Sequence, residues 1–199
     1  MSNSLQGFPV SYDEGIIFYE DALRYLREVL SDAGWTTGRA SPGGSLRRCS
    51  EIVGDLDVTL EVLSIPGRAF DENCLAGMNK KNVSELYHDL ATQMADILSN
   101  SKYAGHFDKV CSRTVGMHSL FRGTQLDVFP CVSDTWTATK LFWTGSRWHN
   151  QDRMLKAHRA GYDFSPEGIY DLKQKRLVQP DESDFLVAIG LNPVPGSWL

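Results

Sequence analysis

The chain has 199 residues, of which 42% are hydrophobic and 11% aromatic, so it is long enough for one good core or for one domain with a smaller appended lobe. No apolar run approaches membrane-spanning length, and the N-terminus lacks the charged start and apolar stretch of a secretory signal. We therefore expect an intracellular protein of the cytoplasm or nucleus with no membrane partner. Because no exposed apolar heptad indicates an assembly surface, we expect a monomer.

The net charge of −5 is unevenly distributed along the chain. Residues 140–176 carry eight Lys and Arg against four Asp and Glu, a local charge of +4, whereas the remainder carries twelve against twenty-one, a charge of −9. A basic lobe on an acidic body is compatible with binding to phosphates, although a solvated helix face explains the charge equally well. The widely spaced cysteines favour buried free thiols over a zinc site or disulfides: Cys49, Cys74, Cys111 and Cys131.

The first predicted element, after a loose leader of ten residues, is a helix that begins at Ser11. Ser11 and Glu14 form a capping-box pattern, and Gly34 is a typical helix terminator. Residues 35–41 then predict a strand that leads into a Gly-Gly-Ser turn. The expected apolar stripe of the helix comprises Ile17, Leu23, Leu26, Val29 and Leu30.

The Gly-Gly-Ser turn and the acidic strand after it form the main candidate site. Gly43 and Gly44 let the backbone come close to an anion, and Ser45 offers a hydroxyl to phosphate oxygens. After nine intervening residues, Asp55 and Asp57 lie on one face of a predicted strand, where two carboxylates suit a hard cation such as Mg²⁺. Either pattern alone is more often a loop or a solvated turn. Together they indicate phosphoryl transfer.

The middle of the chain supplies a third acid. Residues 66–81 predict a loop, residues 84–99 a helix, and residues 106–120 a strand that is joined by a turn to a second strand at residues 124–132. Asp127 stands in this second strand between two apolar residues, and an exposed strand position is the simplest explanation for it. Beside the strand of Asp55 and Asp57, however, it would complete a three-carboxylate site for two metal ions that hold both oxygens of an in-line displacement.

The last third combines aromatic and basic residues. Trp136 is expected in the core, whereas residues 142–146 place two large rings before a glycine that would let a ligand approach the backbone. Residues 150–160 predict a helix with Arg153 and Lys156 on neighbouring turns. Short segments with turns then lead to a small helix at residues 181–189.

Three ordered blocks resemble the family X DNA polymerases, the group that includes polymerase beta. Residues 44–57, GSLRRCSEIVGDLD, resemble the family's GS-x-RR…GDxD motif, and residues 126–128, LDV, resemble the strand with its third acid. Residues 141–146, LFWTGS, followed by Asn150, resemble its YFTGS…N nucleotide-binding turn. The tail at residues 189–195 resembles the family's closing segment, so the likeness covers nearly the whole chain.

The resemblance implies an α/β (α+β) nucleotidyltransferase palm with a mixed β-sheet and flanking helices at residues 1–134, and a small thumb-like α/β lobe at residues 135–199. It implies a DNA-directed DNA polymerase that adds dNTPs to a primer 3′-hydroxyl with pyrophosphate release, in short gap filling during repair. Its cofactor would be two Mg²⁺ ions, with Mn²⁺ as a substitute, and its partners dNTP and primer-template or gapped DNA.

The same resemblance implies a role for each matching residue. Asp55, Asp57 and Asp127 would bind the metals, and Asp127 would also assist deprotonation of the primer hydroxyl. The β- and γ-phosphates, the sugar and the base would be held by Gly44, Ser45, Arg48, Gly54, Phe142, Trp143, Gly145 and Asn150. DNA would contact Arg147, Arg153 and Lys156.

Two positions depart from the family pattern. Met154 stands where many members have an arginine that probes the template, although Arg153 is adjacent to it, and Gln125 replaces an arginine that often precedes the third acid. The chain also resembles the short viral members that lack the lyase and helix-hairpin-helix segments, so we expect no lyase activity and a weaker hold on gapped DNA. Two alternatives therefore stay open: a template-independent nucleotidyltransferase acting on nucleic-acid ends, a protein or a small molecule, and a non-catalytic binding module.

Overall fold

A mixed β-sheet flanked by helices forms the larger part of the protein. The computed structural model describes residues 7–102, 104–113 and 115–193. The predicted mixed α/β architecture is confirmed. The helices are α1 Tyr12–Asp32, α2 Gly44–Arg47, α3 Lys80–Asn100, α4 Trp136–Thr144, α5 Arg147–Arg159 and α6 Glu182–Ala188, and the strands are β1 Val10–Ser11, β2 Thr36–Pro42, β3 Ile52–Val53, β4 Asp55–Ile65, β5 Arg68–Ala69, β6 Phe107–Arg113, β7 Gly116–Phe121, β8 Thr124–Cys131, β9 Tyr162–Ser165, β10 Gly168–Asp171 and β11 Arg176–Val178.

The main sheet has the strand order β2-β4-β8-β7-β6, with β5 also paired to β4. The pairing of β4 with β8 is parallel, and the other pairings in this sheet are antiparallel. Helices α1 and α3 pack against each other and against the sheet. After Val58, the side chains of residues 59–62 of β4 are buried on both faces of the sheet, so this strand lies in the middle of the core.

Helix α1 has the predicted start and end. The Ser11 hydroxyl accepts a hydrogen bond from the backbone N–H of Glu14, and the Glu14 carboxylate accepts one from the backbone N–H of Ser11. At the other end Gly34 has a φ of 81°, the left-handed conformation that terminates helices. The predicted stripe is wrong at Ile17, which is 55% exposed, because the buried face runs instead through Gly15, Tyr19, Ala22, Leu26, Val29 and Leu30.

The predicted helix at residues 84–99 begins earlier, at Lys80. The Asn79 side chain caps the helix by accepting a hydrogen bond from the N–H of Asn82. The first turn of the helix therefore contains residues that were predicted to belong to the loop at residues 66–81. The predicted single strand at residues 106–120 is also wrong, because β6 and β7 form an antiparallel hairpin. The turn at Arg122-Gly123 is as predicted, with φ of 51° and 81°.

The C-terminal part of the chain has its own small core. Strands β9, β10 and β11 form an antiparallel sheet in the order β11-β10-β9, and α4, α5 and α6 pack with it. Helix α5 begins three residues earlier than predicted, because the Ser146 hydroxyl caps the backbone N–H of His149. The predicted last helix is confirmed as α6. The final two residues of the 189–195 segment, Val194 and Pro195, lie outside the described residues, as do residues 1–6 of the expected leader.

The environment of the cysteines agrees only in part with the expectation of buried free thiols. All four are free, and Cys131 is buried. Cys49 is exposed, however, because it occupies a left-handed position with a φ of 54° in the loop between α2 and β3. Within residues 7–102, 104–113 and 115–193, no helix combines the length and the apolar character that crossing a bilayer requires.

The capping box of α1 provides a test of the fold. Ser11→Ala removes the acceptor for the Glu14 amide, and we expect it to lower the free energy of unfolding by about 1 kcal/mol. Denaturant unfolding measures the change. The control is Ser31→Ala, an exposed position near the other end of the same helix, which leaves the cap intact. Equal stability of Ser11→Ala and wild type would contradict the assigned cap.

Candidate active site

Three carboxylates converge at one edge of the main sheet. In the parallel register of β4 and β8, Asp57 lies directly beside Asp127. Asp55 precedes Asp57 by two residues, so strand geometry turns both side chains to the same face. Ligand oxygens of Asp55, Asp57 and Asp127 all lie within 4.8 Å of one another. The predicted proximity of the three acids is therefore present.

The electrostatics of this cluster are unfavourable without a cation. Burial and the neighbouring charges of Asp55 and Asp127 raise the pKa of Asp57 well above its usual value. Burial and the charge of Asp127 likewise raise the pKa of Asp55, while the Arg48 guanidinium opposes the shift in both groups. The folded chain thus holds negative charges together that would repel one another at neutral pH.

This donor set fits a hard divalent cation. Carboxylate oxygens are the ligands that Mg²⁺ and Mn²⁺ prefer, and a cation between the carboxylates would cancel the repulsion that raises their pKa values. The cluster combines oxygen ligands, mutual proximity and an uncompensated charge, so the residues present are suited to binding such an ion.

Asp127 has two protein partners, one on each carboxylate oxygen. His118 Nδ1 lies 2.8 Å from Oδ1, and Gln125 Nε2 donates to Oδ2 over 2.9 Å. Sequence reasoning missed His118 altogether. Its position depends on the antiparallel register in which His118 of β7 lies opposite Asp127 of β8, and no local motif marks that register.

The Gly-Gly-Ser turn packs directly against the acidic strand. The Gly43 N–H donates to the backbone carbonyl of Asp57 over 2.8 Å, and a Cβ on Gly43 would lie only 2.9 Å from the Cβ of Asp57. Gly44 has a φ of 48°, and a Cβ there would overlap the Asp57 carboxylate. The two glycines are therefore required by the close approach of this turn to Asp57.

The residues after these glycines link the turn to the C-terminal lobe. The Ser45 hydroxyl is buried and has no hydrogen-bond partner among the described residues. Arg48 donates to the carbonyl of Thr144 over 2.5 Å, and Arg47 donates to the Thr144 hydroxyl and to Glu182. Gly54, at the start of the acidic strand, is exposed, and a Cβ there would meet no atom within 4 Å.

The aromatic block at residues 142–146 is the end of α4 and its junction with α5, rather than an open turn. Trp143 stacks on Phe129 with ring centroids 3.6 Å apart and an interplanar angle of 7°, and Phe142 packs against Phe164 in the C-terminal core. Both rings therefore have protein partners. Position 145 needs a glycine for a different reason, because a Cβ there would lie only 2.5 Å from the Oδ1 of Asn150.

Asn150 reaches back across this junction. Its Nδ2 donates to the Phe142 carbonyl over 2.7 Å, while its buried Oδ1 has no hydrogen-bond partner in the part of the chain that the structure describes. The interpretation of Gly145 as an opening for a ligand therefore needs correction: the missing side chain makes room for Asn150.

The three basic residues expected to contact DNA have different environments. Arg147 is exposed, and Lys156 is half-buried and paired with Asp152 over 2.6 Å. Arg153 is only 3% exposed and donates to the Leu141 carbonyl over 2.9 Å, so it does not share a surface with the other two. Helix periodicity did not reveal this burial, because the burial of Arg153 depends on the position of the end of α4 against α5.

Comparison with known proteins identifies the fold. Residues 139–197 match the family described as the DNA polymerase beta thumb. A solved structure of Leishmania infantum polymerase beta, described as a ternary P/T complex, is similar with a TM-score of 0.67 and 14% sequence identity, over 96% of this chain and 76% of that chain. No curated protein sequence matches the chain. The expected likeness to a family X polymerase is thus confirmed for the fold and for the C-terminal lobe.

The repulsion within the carboxylate cluster provides a test of the site. Because the pKa of Asp57 is raised above its usual 3.8, the metal-free protein should lose stability as the pH rises from that value through the raised pKa of the folded state. Asp57→Asn removes this charge and should raise the midpoint of thermal unfolding at neutral pH, by about 2–4 °C for each kcal/mol of repulsion removed. Added Mg²⁺ should stabilise the wild type more than the variant.

The matched control is Asp89→Asn, an exposed carboxylate on α3 that lies outside the cluster. It should leave the midpoint and its response to Mg²⁺ unchanged. In chelator, a lower midpoint of thermal unfolding for Asp57→Asn than for the wild type would contradict the proposed repulsion among the three carboxylates.

Proposed function

We propose that this chain is a DNA-directed DNA polymerase that transfers a nucleotide from a dNTP to a primer 3′-hydroxyl and releases pyrophosphate. The observation that carries the proposal is the convergence of Asp55, Asp57 and Asp127 within 4.8 Å on a polymerase beta-like fold. The solved neighbour, a ternary P/T complex of polymerase beta, supports DNA and dNTP as partners. Short gap filling in DNA repair by a monomer is the role we propose for it.

Within this proposal the three acids have separate tasks. Asp55 and Asp57 would hold the metal that accompanies the triphosphate, and all three acids would hold the catalytic one. Two divalent ions, Mg²⁺ or Mn²⁺, would supply charge neutralisation to the attacking and the leaving oxygens. Asp127 lies on the neighbouring strand, where its carboxylate accepts the proton of the primer hydroxyl or orients that hydroxyl for in-line attack.

The triphosphate would lie against the Gly-Gly-Ser turn. The Ser45 hydroxyl is buried without a described partner, and an anion that accepted its hydrogen bond would remove that cost. Gly44, Arg48 and the amide of the open Gly54 complete the phosphate site. The Arg48 guanidinium already opposes the rise in the pKa of Asp55 and Asp57, so its positive charge lies close to the point where phosphate oxygens would be bound.

The sugar and base would be bound at the junction of α4 and α5. Phe142 and Trp143 form one side of this junction, and Gly145 leaves the space that Asn150 needs. The buried Oδ1 of Asn150 lacks a described partner, while its amide nitrogen is engaged. We propose a palm at residues 1–134 and a nucleotide- and DNA-binding lobe at residues 135–199, with Arg147 and Lys156 on the DNA side.

A second candidate is nucleotide addition without a template. Met154 is 41% exposed, and the adjacent Arg153 cannot take the place of an arginine there, because its guanidinium is buried against the Leu141 carbonyl. Contact with a templating strand would then lack a fixed donor at this position. Weak discrimination between templated and untemplated dNTPs is the signature of this alternative.

The test of the proposal is primer extension across a one-nucleotide gap by purified protein with Mg²⁺. Asp127→Asn should lower kcat by about 100-fold or more, because it removes a metal ligand and the proton acceptor, while thermal unfolding stays cooperative. Asp108→Asn, an exposed carboxylate on β6, is the control and should extend the primer at the wild-type rate. Near wild-type extension by Asp127→Asn would contradict the assigned site.

A further inference from the structure

His118 and Gln125 hold the third acid from opposite sides. His118 Nδ1 is 2.8 Å from Oδ1 of Asp127, and Gln125 Nε2 is 2.9 Å from Oδ2. An ionised carboxylate has only acceptor sites, so Nδ1 of His118 is the donor in this hydrogen bond. Each oxygen of Asp127 therefore has one protein donor and keeps a lone pair for another partner.

The His118 ring has little freedom to turn away. Its side chain is 17% exposed, and the ring meets Phe129 edge-to-face with centroids 6.3 Å apart. Two residues earlier on β7, Gly116 leaves only enough space for these rings: a Cβ there would be 2.9 Å from the Phe129 ring and 3.4 Å from Nε2 of His118. The donor that faces Asp127 is therefore held by packing as well as by the hydrogen bond.

Gln125 is fixed by the backbone on which it lies. It is two residues before Asp127 on β8, hence on the same face, and it pairs with Asp55 in the parallel register. Gly7 lies directly over this point, where a Cβ would overlap the backbone nitrogen of Gln125. The hydrogen bond from Nε2 to Oδ2 of Asp127 shows that the amide side chain runs along the strand toward the carboxylate.

We propose that His118 and Gln125 are positioning residues that fix the orientation of Asp127 for metal binding, with His118 the more important of the two. The inference deepens the proposed function and rests on it for the catalytic consequence alone. Donors to the far sides of a ligating carboxylate set its direction and basicity, and their loss typically costs about 10–100-fold in metal affinity or activity.

The experiment measures Mn²⁺ binding to the full chain by the loss of the free-ion EPR signal, with no nucleotide or DNA present. His118→Leu keeps much of the ring volume and removes the donor, and we expect its Kd for Mn²⁺ to rise by about 10–100-fold. His118→Asn places an amide N–H near the position of Nδ1 and should keep the Kd within about threefold of wild type. Gln125→Leu should weaken binding less than His118→Leu.

Primer extension gives the second readout. His118→Leu should lower kcat while the KM for dNTP stays within about twofold, because the contacts proposed for the triphosphate lie on the Arg48 side of the cluster. His118→Asn should restore most of kcat. If His118→Leu does not fold, the pair Gln125→Leu and His118→Asn decides the question, since the first lacks a donor and the second keeps one.

Unchanged Mn²⁺ affinity and kcat in His118→Leu, or in Gln125→Leu where His118→Leu does not fold, would overturn the inference. An equal loss in His118→Leu and His118→Asn would also overturn it, because ring packing rather than the hydrogen bond would then be responsible. Failure of the wild type to extend any primer, with the predicted differences in Mn²⁺ affinity intact, would refute the proposed polymerase while leaving the positioning role in place.

Discussion

The parallel pairing of β4 with β8 brings the three carboxylates close together. The packing of the surrounding structure must offset their mutual repulsion. At the observed separation each pair of ionised carboxylates repels by about 3–4 kcal/mol for an effective dielectric constant of about 20. Burial on both sides of β4, from Thr59 to Val62, holds that strand in register despite the repulsion. Burial together with this repulsion raises the pKa of Asp55 and of Asp57 above the usual value. A site of this kind trades stability in the metal-free protein for affinity toward a cation.

The same edge of the sheet joins the two cores of the protein. Arg47 and Arg48 follow the Gly-Gly-Ser turn, and both donate hydrogen bonds to Thr144 at the end of α4. Glu182 of α6 accepts a hydrogen bond from Arg47 and forms an ion pair with Lys140. The stacked rings of Phe129 and Trp143 connect the strand of the third acid to the same helix end. A shift of α4 would therefore move both the Gly-Gly-Ser turn and the strand that carries Asp127. The proposed nucleotide and metal sites thus depend on the position of the same helix.

Sequence reasoning predicted those parts of the site that depend on local pattern. Alternation along β4 predicted the shared face of Asp55 and Asp57, and an acid set in an apolar strand made Asp127 a candidate. It did not predict His118, because the contact with Asp127 depends on the cross-strand register of β7 and β8, which no local sequence pattern marks. The prediction that Arg153 is exposed was also wrong. A basic residue on a polar helix is expected at the surface, but here the end of α4 covers it and the Leu141 carbonyl accepts its hydrogen bond.

The most direct measurement of the central claim is insertion of single dNTPs by the wild-type protein with Mg²⁺, on a one-nucleotide gap, an open primer-template and a lone single strand. The account predicts insertion on the two templated substrates that follows the templating base and stops when Mg²⁺ is chelated. Extension of the lone strand, or insertion indifferent to the template, would move the assignment to a terminal transferase. No insertion on any substrate with either Mg²⁺ or Mn²⁺ would contradict the account.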